Sequence, residues 1–182
     1  MIYRNLYFLS GFLLLSGIGF ITARRLRKKY LPVVNYVDLS RYMGTWYEIA
    51  RMPARFEKDC YNSRTEYSFD KNGTIVVANF CNLGSLYGKE EAVRGRAFVA
   101  DPLTNAKLKI RFQWPFKGDY WILAIDPEYQ YAMVGEPSRK YLWILSRKPD
   151  LPAQTLTNLI TKAQRFGFEV ARLIFTRHKE NY

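Results

Sequence analysis

The chain has 182 residues, 16% of them aromatic, and a formal charge of +12. This length favours one domain with an N-terminal extension, and the aromatic content excludes a disordered chain. Residues 1–30 hold six basic residues and no acidic one, so residues 31–182 carry 22 basic residues against 16 acidic ones. Half of the positive charge therefore belongs to the extension. The rest is dispersed along the chain, which argues against nucleic-acid binding.

Residues 6–23 are an uncharged apolar stretch, and a basic run at 24–29 follows it. The stretch is long enough for a signal sequence or a single membrane span. We therefore predict an N-terminal signal or anchor segment with a basic flank over residues 1–30, with an N-terminal hydrophobic helix, and one folded domain over residues 31–182. The basic run favours a cytoplasmic position for the residues that follow it.

The folded domain shows a succession of short strand patterns. Residues 38–42 predict a helical turn capped by Asp38, and Asn72-Gly73 predicts a tight hairpin. Residues 152–166 have apolar side chains at helical spacing and end before Gly167, which indicates one amphipathic helix. A short closing strand is predicted at 173–175. The other strands are predicted at 45–50, 64–69, 74–81, 92–100, 107–113, 120–125, 131–135 and 141–147.

Eight strands at nearly even spacing, with short connections, are typical of an all-β, up-and-down antiparallel barrel. The C-terminal helix is expected to pack outside this barrel. The only two cysteines are Cys60, before the second strand, and Cys81, at the end of the third. Because these strands form a hairpin, we favour a disulfide over two free thiols, which implies an oxidising compartment. The cysteines and the basic run thus point to opposite sides of a membrane.

Three segments carry a family resemblance: Gly44–Arg51 (GTWYEIAR), 125–129 (IDPEY) and 141–147 (YLWILSR). With the strand order, they resemble the lipocalins, in particular the bacterial outer-membrane lipocalins and their animal relative apolipoprotein D. The resemblance implies a calyx that binds a fatty acid or a lysophospholipid. It also implies structural roles at the closed end for Gly44, Trp46 and Arg147, whose guanidinium is expected to pack across the Trp46 ring.

We place the barrel in the periplasm at a bacterial envelope membrane, giving more weight to the cysteines and the resemblance than to the basic run. Bacterial lipocalins are commonly attached to lipid through an N-terminal cysteine. No cysteine lies in or just after residues 6–23, so that attachment is not expected here.

Period-two alternation assigns one face of each strand to the barrel interior. The phase of the seventh strand is unresolved. An aromatic tip, Trp114-Pro115-Phe116, is expected either to guard the entrance or to cap the barrel. The candidate ligand-binding residues are Glu48, Thr65, Tyr67, Ile75, Val77, Asn79, Val93, Gly95, Ala97, Leu108, Ile110, Phe112, Trp114, Tyr120, Ile122, Tyr141 and Trp143.

The same residues would also suit a solid core, and two features favour a cavity. Gly95 and Ala97 are small at consecutive inward positions, which leaves volume unfilled. Polar groups such as Asn79, Tyr67 and Tyr120 are scattered among apolar ones, and a sealed core would have to satisfy each of them.

We predict a binding protein for a single-chain lipid, with no catalytic site, metal or cofactor. The only histidine, His178, follows the last strand, so a barrel-borne Ser-His or Cys-His site would lack its base. The alternatives are a membrane-tethered structural or stress-related interaction module and a lipid-modifying enzyme. The oligomeric state stays open.

Overall fold

The structure is a computed structural model and describes residues 30–112 and 118–179. The predicted apolar segment at residues 6–23 and the aromatic tip that contains Trp114 lie outside the described residues. In the part of the chain that is described, no helix has the length and apolar character needed to cross a membrane.

Nine strands and two α-helices make up the described fold, and their order follows the prediction. The helices are α1 (Leu39–Tyr42) and α2 (Ala153–Arg165), and short 3-10 turns lie at Arg55–Glu57 and Val170–Arg172. The strands are β1 (Gly44–Arg51), β2 (Cys60–Phe69), β3 (Ile75–Leu83), β4 (Glu90–Val99), β5 (Lys107–Arg111), β6 (Gly118–Ile125), β7 (Tyr131–Gly135), β8 (Leu142–Ser146) and β9 (Ile174–Phe175).

The strands form one antiparallel sheet in the order β2-β3-β4-β5-β6-β7-β8-β1-β9. Because β1 also pairs with β2, the first eight strands close into a barrel. The predicted eight-stranded up-and-down barrel with a C-terminal helix is thereby confirmed. The strand starts of β1, β3, β5 and β7 lie at one end, the closed end. The strand starts of β2, β4, β6 and β8 lie at the other, the open end.

Two apolar clusters lie on the two sides of the barrel wall. The inner cluster fills the lumen near the closed end and includes Trp46, Leu108 and Ile122. The outer cluster includes Leu159 and Ala163 of α2, so this helix covers the outside of the wall as predicted. Gly167 then ends the helix with φ +86°.

The structure settles the phase of β7, which the alternation pattern alone leaves open. Ala132 and Val134 face the lumen, and Met133 belongs to the outer cluster under α2. The register of β6 shifts between Ile122 and Ala124, so alternation does not continue through the end of that strand.

The C-terminal segment fills a gap between β1 and β2 at the open end. There β9 pairs with β1, and the Thr176 amide donates to the Ile49 carbonyl at 3.0 Å. On the other side, the Asn62 amide donates to the Arg177 carbonyl at 2.9 Å. The barrel is therefore closed by β1 and β2 directly at one end and through the C-terminal segment at the other.

Cys60 and Cys81 form a disulfide at the open end, with their Cα atoms 5.4 Å apart. This confirms the predicted pairing. The bond ties the beginning of β2 to the end of β3, which pair along their length.

Candidate functional site

Three buried tyrosines seal the lumen at the closed end. The hydroxyls of Tyr42 and Tyr120 are 2.7 Å apart, and the Tyr67 hydroxyl donates to that of Tyr120 at 2.8 Å. Burial raises the pKa of all three well above that of an exposed tyrosine, so they stay neutral. Tyr67 and Tyr120, two candidate ligand contacts, thus satisfy each other within the core and need no ligand to pair with.

Trp46 and Arg147 lie next to these tyrosines. The guanidinium carbon of Arg147 lies 3.8 Å from the centre of the Trp46 ring, and Trp46 Nε1 donates to the Tyr42 carbonyl at 2.8 Å. Arg147 also donates to the carbonyls of Thr45 and Arg41 at 2.8 and 2.7 Å. The cation therefore stacks on the indole and joins α1, β1 and β8 at once.

Gly44 lies at the start of β1 beside this stack. Its φ of +95° is one that L side chains rarely adopt, and an added Cβ would lie 3.3 Å from Nη1 of Arg147. A side chain here would both strain the backbone and press on the guanidinium.

The candidate ligand residues divide between the sealed end and the open half. Glu48 lies at the mouth, in a cluster described below, and Trp143 packs partly against the inner cluster. Tyr141 stacks on Trp143, and Thr65 donates to Asn79 at 2.9 Å. The structure places in the buried inner cluster Tyr67, Ile75, Val77, Ala97, Leu108, Ile110, Tyr120 and Ile122.

The expectation that Gly95 leaves volume unfilled is wrong. A Cβ at Gly95 would lie 2.7 Å from Cδ1 of Phe112 and 2.6 Å from the Arg111 carbonyl oxygen. The ring of Phe112 therefore fills the space beside Gly95 that was expected to be empty. The second small residue, Ala97, is also packed and is 3% exposed.

Solvent reaches the inward face of β4 toward the open end. Val93 has the same phase as Ala97 and pairs with Asn79 of β3, yet it is 49% exposed. Val93 and Ala97 are four residue spacings apart, which is about 13 Å along a strand. Within that distance the inner face changes from sealed to open.

A buried ionic cluster, which we call the mouth cluster, lies at the open end of β1: Glu48, Arg51 and Glu57. Nε of Arg51 is 3.2 Å from Oε1 of Glu48 and 3.3 Å from Oε2 of Glu57. Arg51 also donates to the Glu57 carbonyl at 2.7 Å, and Trp143 Nε1 donates to Oε1 of Glu57 at 3.2 Å. Thr176 hydrogen-bonds the Glu48 carboxylate. The cluster thus holds the β1–β2 loop and the C-terminal segment against the wall.

Two carboxylates share one guanidinium in this cluster, and burial disfavours ionising both. Burial, reinforced by the nearby Glu48 carboxylate, raises the pKa of Glu57 to about 8. Burial also raises the pKa of Glu48, against the opposing effects of Thr176 and Arg51. At neutral pH the cluster therefore retains a proton and has no excess positive charge.

Sequence reasoning missed Arg51 and Glu57 as members of this inner site. Strict alternation places Glu48 and Arg51 on opposite faces, because they are three residues apart. A register shift between Glu48 and Ala50 reverses this, so that Glu48 pairs with Leu145 and Arg51 pairs with Trp143, both inward. Nothing in the sequence of the β1–β2 loop predicts that Glu57 contacts Arg51 and Trp143 at the barrel wall.

His178 lies in the C-terminal segment rather than in the lumen. Its Nε2 is 2.7 Å from the Glu48 carbonyl oxygen, and its ring meets that of Tyr47 edge-on. Burial lowers its pKa, so its ring is neutral at pH 7. No group of three or more metal-ligating side chains occurs among the described residues.

Comparison with known proteins identifies the family. The model of the lipocalin-like domain matches residues 37–178, from the segment before α1 to the histidine after β9. This chain belongs to the lipocalin family. The closed end contains Trp46 and Arg147, which come from two of the segments that carry the family resemblance.

Relatives of this lipocalin come from plants, bacteria and animals. It is 42% identical over 157 residues to temperature-induced lipocalin-1 of Arabidopsis thaliana, covering 80% of this chain and 82% of that protein. It is 42% identical over 151 residues to the outer membrane lipoprotein Blc of Citrobacter freundii, covering 82% and 84%. Mouse apolipoprotein D is 35% identical over 155 residues, covering 80% and 79%.

Solved structures share the fold of this lipocalin. Insecticyanin from the tobacco hornworm Manduca sexta superposes with a TM-score of 0.66 at 24% identity, covering 83% of this chain and 87% of that one. At this identity the likeness establishes the barrel and its helix, and the ligand has to be argued from the lumen itself.

Proposed function

We propose that this lipocalin binds a single-chain lipid, a fatty acid or a lysophospholipid, in the open half of its barrel and stores or carries it at a bacterial envelope membrane. Membership of the family, with relatives named as Blc and apolipoprotein D, supports the binding or transport of a small hydrophobic ligand. The observation that carries the proposal is the half-exposed Val93 on a face that is sealed at Ala97.

The driving force is burial of the acyl chain. Each methylene removed from water contributes about 0.8 kcal/mol, so a long chain offsets the cost of immobilising the lipid. The apolar wall at the mouth is completed by the stacked rings of Tyr141 and Trp143, whose centres are 6.0 Å apart. We expect these rings to contact the part of the acyl chain nearest the headgroup.

The mouth cluster favours a lysophospholipid over a fatty acid. Arg51 already contacts two carboxylates, so it has no unpaired charge to offer a fatty-acid carboxylate. A zwitterionic headgroup brings no net charge to the mouth, so it does not require an unpaired guanidinium there.

We propose a membrane attachment through residues 6–23 and no catalytic activity. The support for the second point is the position of His178, whose ring nitrogens face the Glu48 carbonyl and the side chain of Asn62 and do not face the lumen. A Ser-His or Cys-His pair in the lumen would need a different base.

The test measures lipid binding by the full chain in a non-ionic detergent. Bound lipid is extracted from the purified protein and identified by mass spectrometry, and binding of a lysophosphatidylcholine and of the fatty acid of equal chain length is then titrated. We expect a single-chain lipid in the extract and tighter binding of the lysophospholipid.

Val93→Trp should lower the affinity for that lipid at least tenfold, because it fills the open half. The matched control is Leu103→Trp, which adds the same ring to a turn residue that is 87% exposed, and it should bind as the parent does. If no lipid is extracted and neither lipid binds, the carrier proposal fails and the interaction module becomes the better description.

A further inference from the structure

Three arginines form a patch on the outer surface of the barrel, which we call the arginine face: Arg94, Arg96 and Arg111. Arg96 of β4 and Arg111 of β5 are direct cross-strand partners. Arg94 lies two residues from Arg96, so all three side chains lie on the same face of the sheet. The three positive charges therefore lie close together, within two residue spacings along β4 and on the strand next to it.

These arginines differ from the basic residues around them. On neighbouring strands Arg64 pairs with Glu90 at 2.7 Å, and Lys109 pairs with Asp119 at 2.8 Å. Over residues 30–112 and 118–179, no carboxylate oxygen lies within 4 Å of a guanidinium nitrogen of the arginine face. Arg111 instead stacks on the ring of Phe98, with its guanidinium carbon 5.3 Å from the ring centre.

Two acidic residues on this side of the sheet, Asp70 and Glu66, are engaged with other partners. Asp70 accepts hydrogen bonds from the amides of Thr74 and Asn72, which lower its pKa more than the charge of Arg96 does. Glu66 lies 3.6 Å from Nε of Arg64. Neither carboxylate neutralises the arginine face by contact.

A groove of about 410 Å³ runs over the arginine face. Its apolar surface includes Val76, the residue of β3 that pairs with Arg96. A second groove of about 270 Å³ continues from it across β3, since Val76 and Arg94 line both. The patch therefore combines cations with an apolar floor rather than lying on a flat polar surface.

Like charges directly opposite one another destabilise a sheet. An anion seated between Arg96 and Arg111 would remove this cost, and guanidinium groups bind phosphate oxygens through pairs of parallel hydrogen bonds. We propose that the arginine face binds the phosphate groups of anionic phospholipids at a bilayer surface.

The apolar neighbours of the arginine face and the chain before the barrel favour a lipid over a soluble phosphate. Phe98 is 38% exposed beside the arginines, as suits an interface that is charged at the headgroups and apolar beneath. Seven Cα–Cα steps, through residues 24–29, join the end of the apolar stretch at residue 23 to Tyr30, the first described residue. Fully extended they reach about 25 Å, so if the stretch lies in a membrane, the barrel stays within reach of its headgroups.

The experiment compares two lipids that differ only in the headgroup. The full chain in a non-ionic detergent is titrated with dioleoylphosphatidylglycerol and with dioleoylphosphatidylcholine in mixed micelles. Because the acyl chains are identical, any preference reports the headgroup and not the lumen. We expect the anionic lipid to bind about tenfold more tightly at low salt, and the preference to shrink as salt rises.

The triple variant Arg94→Gln, Arg96→Gln, Arg111→Gln should lose this preference. A matched triple variant, Lys71→Gln, Lys148→Gln, Arg165→Gln, removes the same charge elsewhere and should keep it. Arg94→Gln alone leaves the cross-strand pair Arg96–Arg111 in place and should lose part of the preference for the anionic lipid. This single variant tests the proposal if the triple variant does not fold.

An unchanged preference in the Arg94, Arg96 and Arg111 variants would overturn the proposal. So would displacement of the anionic lipid by glycerol 3-phosphate at equal concentration, since the site would then serve a soluble phosphate. Equal binding of the two lipids counts against the arginine face alone, whereas failure of Val93→Trp to affect single-chain lipid counts against the lumen alone. The two proposals thus fail separately.

Discussion

Each end of the barrel contains an arginine near aromatic side chains, but the two ends differ in how that charge is paired. At the closed end, three tyrosines, an indole and a guanidinium pair with one another or with backbone carbonyls. At the open end, two carboxylates compete for one guanidinium, and Val93 is half exposed on the inner face. Tyrosine hydroxyls that hydrogen-bond one another can be buried at little cost, whereas two buried carboxylates beside one guanidinium favour retention of a proton.

We therefore expect the closed end to stabilise the fold and the open end to change with pH and with ligand. The closed end should contribute free energy of unfolding that varies little with pH, because its tyrosines titrate far above neutrality. Four variants test this difference between the two ends, beginning with the largest expected effect.

Trp46→Ala should lower the free energy of unfolding by about 3–5 kcal/mol, because the indole is fully buried and removing it leaves a large cavity. The measurement is urea denaturation of the full chain, followed by far-ultraviolet circular dichroism. Tyr36→Ala, at a residue that is 59% exposed, is the control and should change little. A loss below 1 kcal/mol for Trp46→Ala would mean that the closed end does not carry the stability assigned to it.

Replacing Cys60 and Cys81 together by alanine should lower the free energy of unfolding by about 3 kcal/mol. The disulfide closes a loop with a sequence separation of 21, and its removal restores freedom to the unfolded chain. Denaturation of the parent protein with and without a reductant gives an independent value. Agreement of the two values, with little change in the far-ultraviolet spectrum, would show that the bond limits the unfolded state and is not needed to shape the mouth.

Tyr120→Phe should cost about 1–3 kcal/mol, because it leaves the hydroxyls of Tyr42 and Tyr67 without their shared partner in a buried site. Thermal unfolding measures the change, and Tyr36→Phe is the matched control for loss of an exposed hydroxyl. If Tyr120→Phe leaves the free energy of unfolding unchanged, water must reach the hydroxyls of Tyr42 and Tyr67. The closed end would then not be sealed by the three tyrosines.

Glu57→Gln should flatten the dependence of stability on pH. The pKa of Glu57 is raised from 4.5 to about 8, so between these values the folded protein holds a proton that the unfolded chain has lost. Stability from this group is therefore present below pH 4.5 and is lost as the pH rises towards about 8, at no more than about 1.4 kcal/mol per pH unit.

The measurement for Glu57 is the difference between parent and variant in denaturant midpoint from pH 4.5 to 8.5. The parent should lose stability over this interval relative to Glu57→Gln, and the two curves should run parallel above about pH 8. A parent curve that rises relative to the variant would mean that Arg51 keeps Glu57 ionised, and the mouth cluster would then be a simple ion pair with no proton to exchange.

The sequence by itself determines the order and class of the elements in this lipocalin. Period-two alternation, Asn72-Gly73 and the helical spacing after Pro152 act locally, so they predict the strands, a hairpin and the helix without knowledge of the rest. The bounds differ by a few residues, most at β2, which begins at Cys60 rather than near Arg64. The disulfide follows from the same local pairing, since β2 and β3 are joined by that hairpin.

Tertiary structure alone decides what the inner faces hold. The register shift in β1 turns Arg51 inward, the C-terminal segment brings Thr176 to Glu48, and the ring of Phe112 takes the space beside Gly95. None of these can be read from alternation, because each depends on residues distant in sequence that meet only when the sheet closes. The pKa of Glu57 follows from the same closure, since it is burial beside Glu48 that raises it.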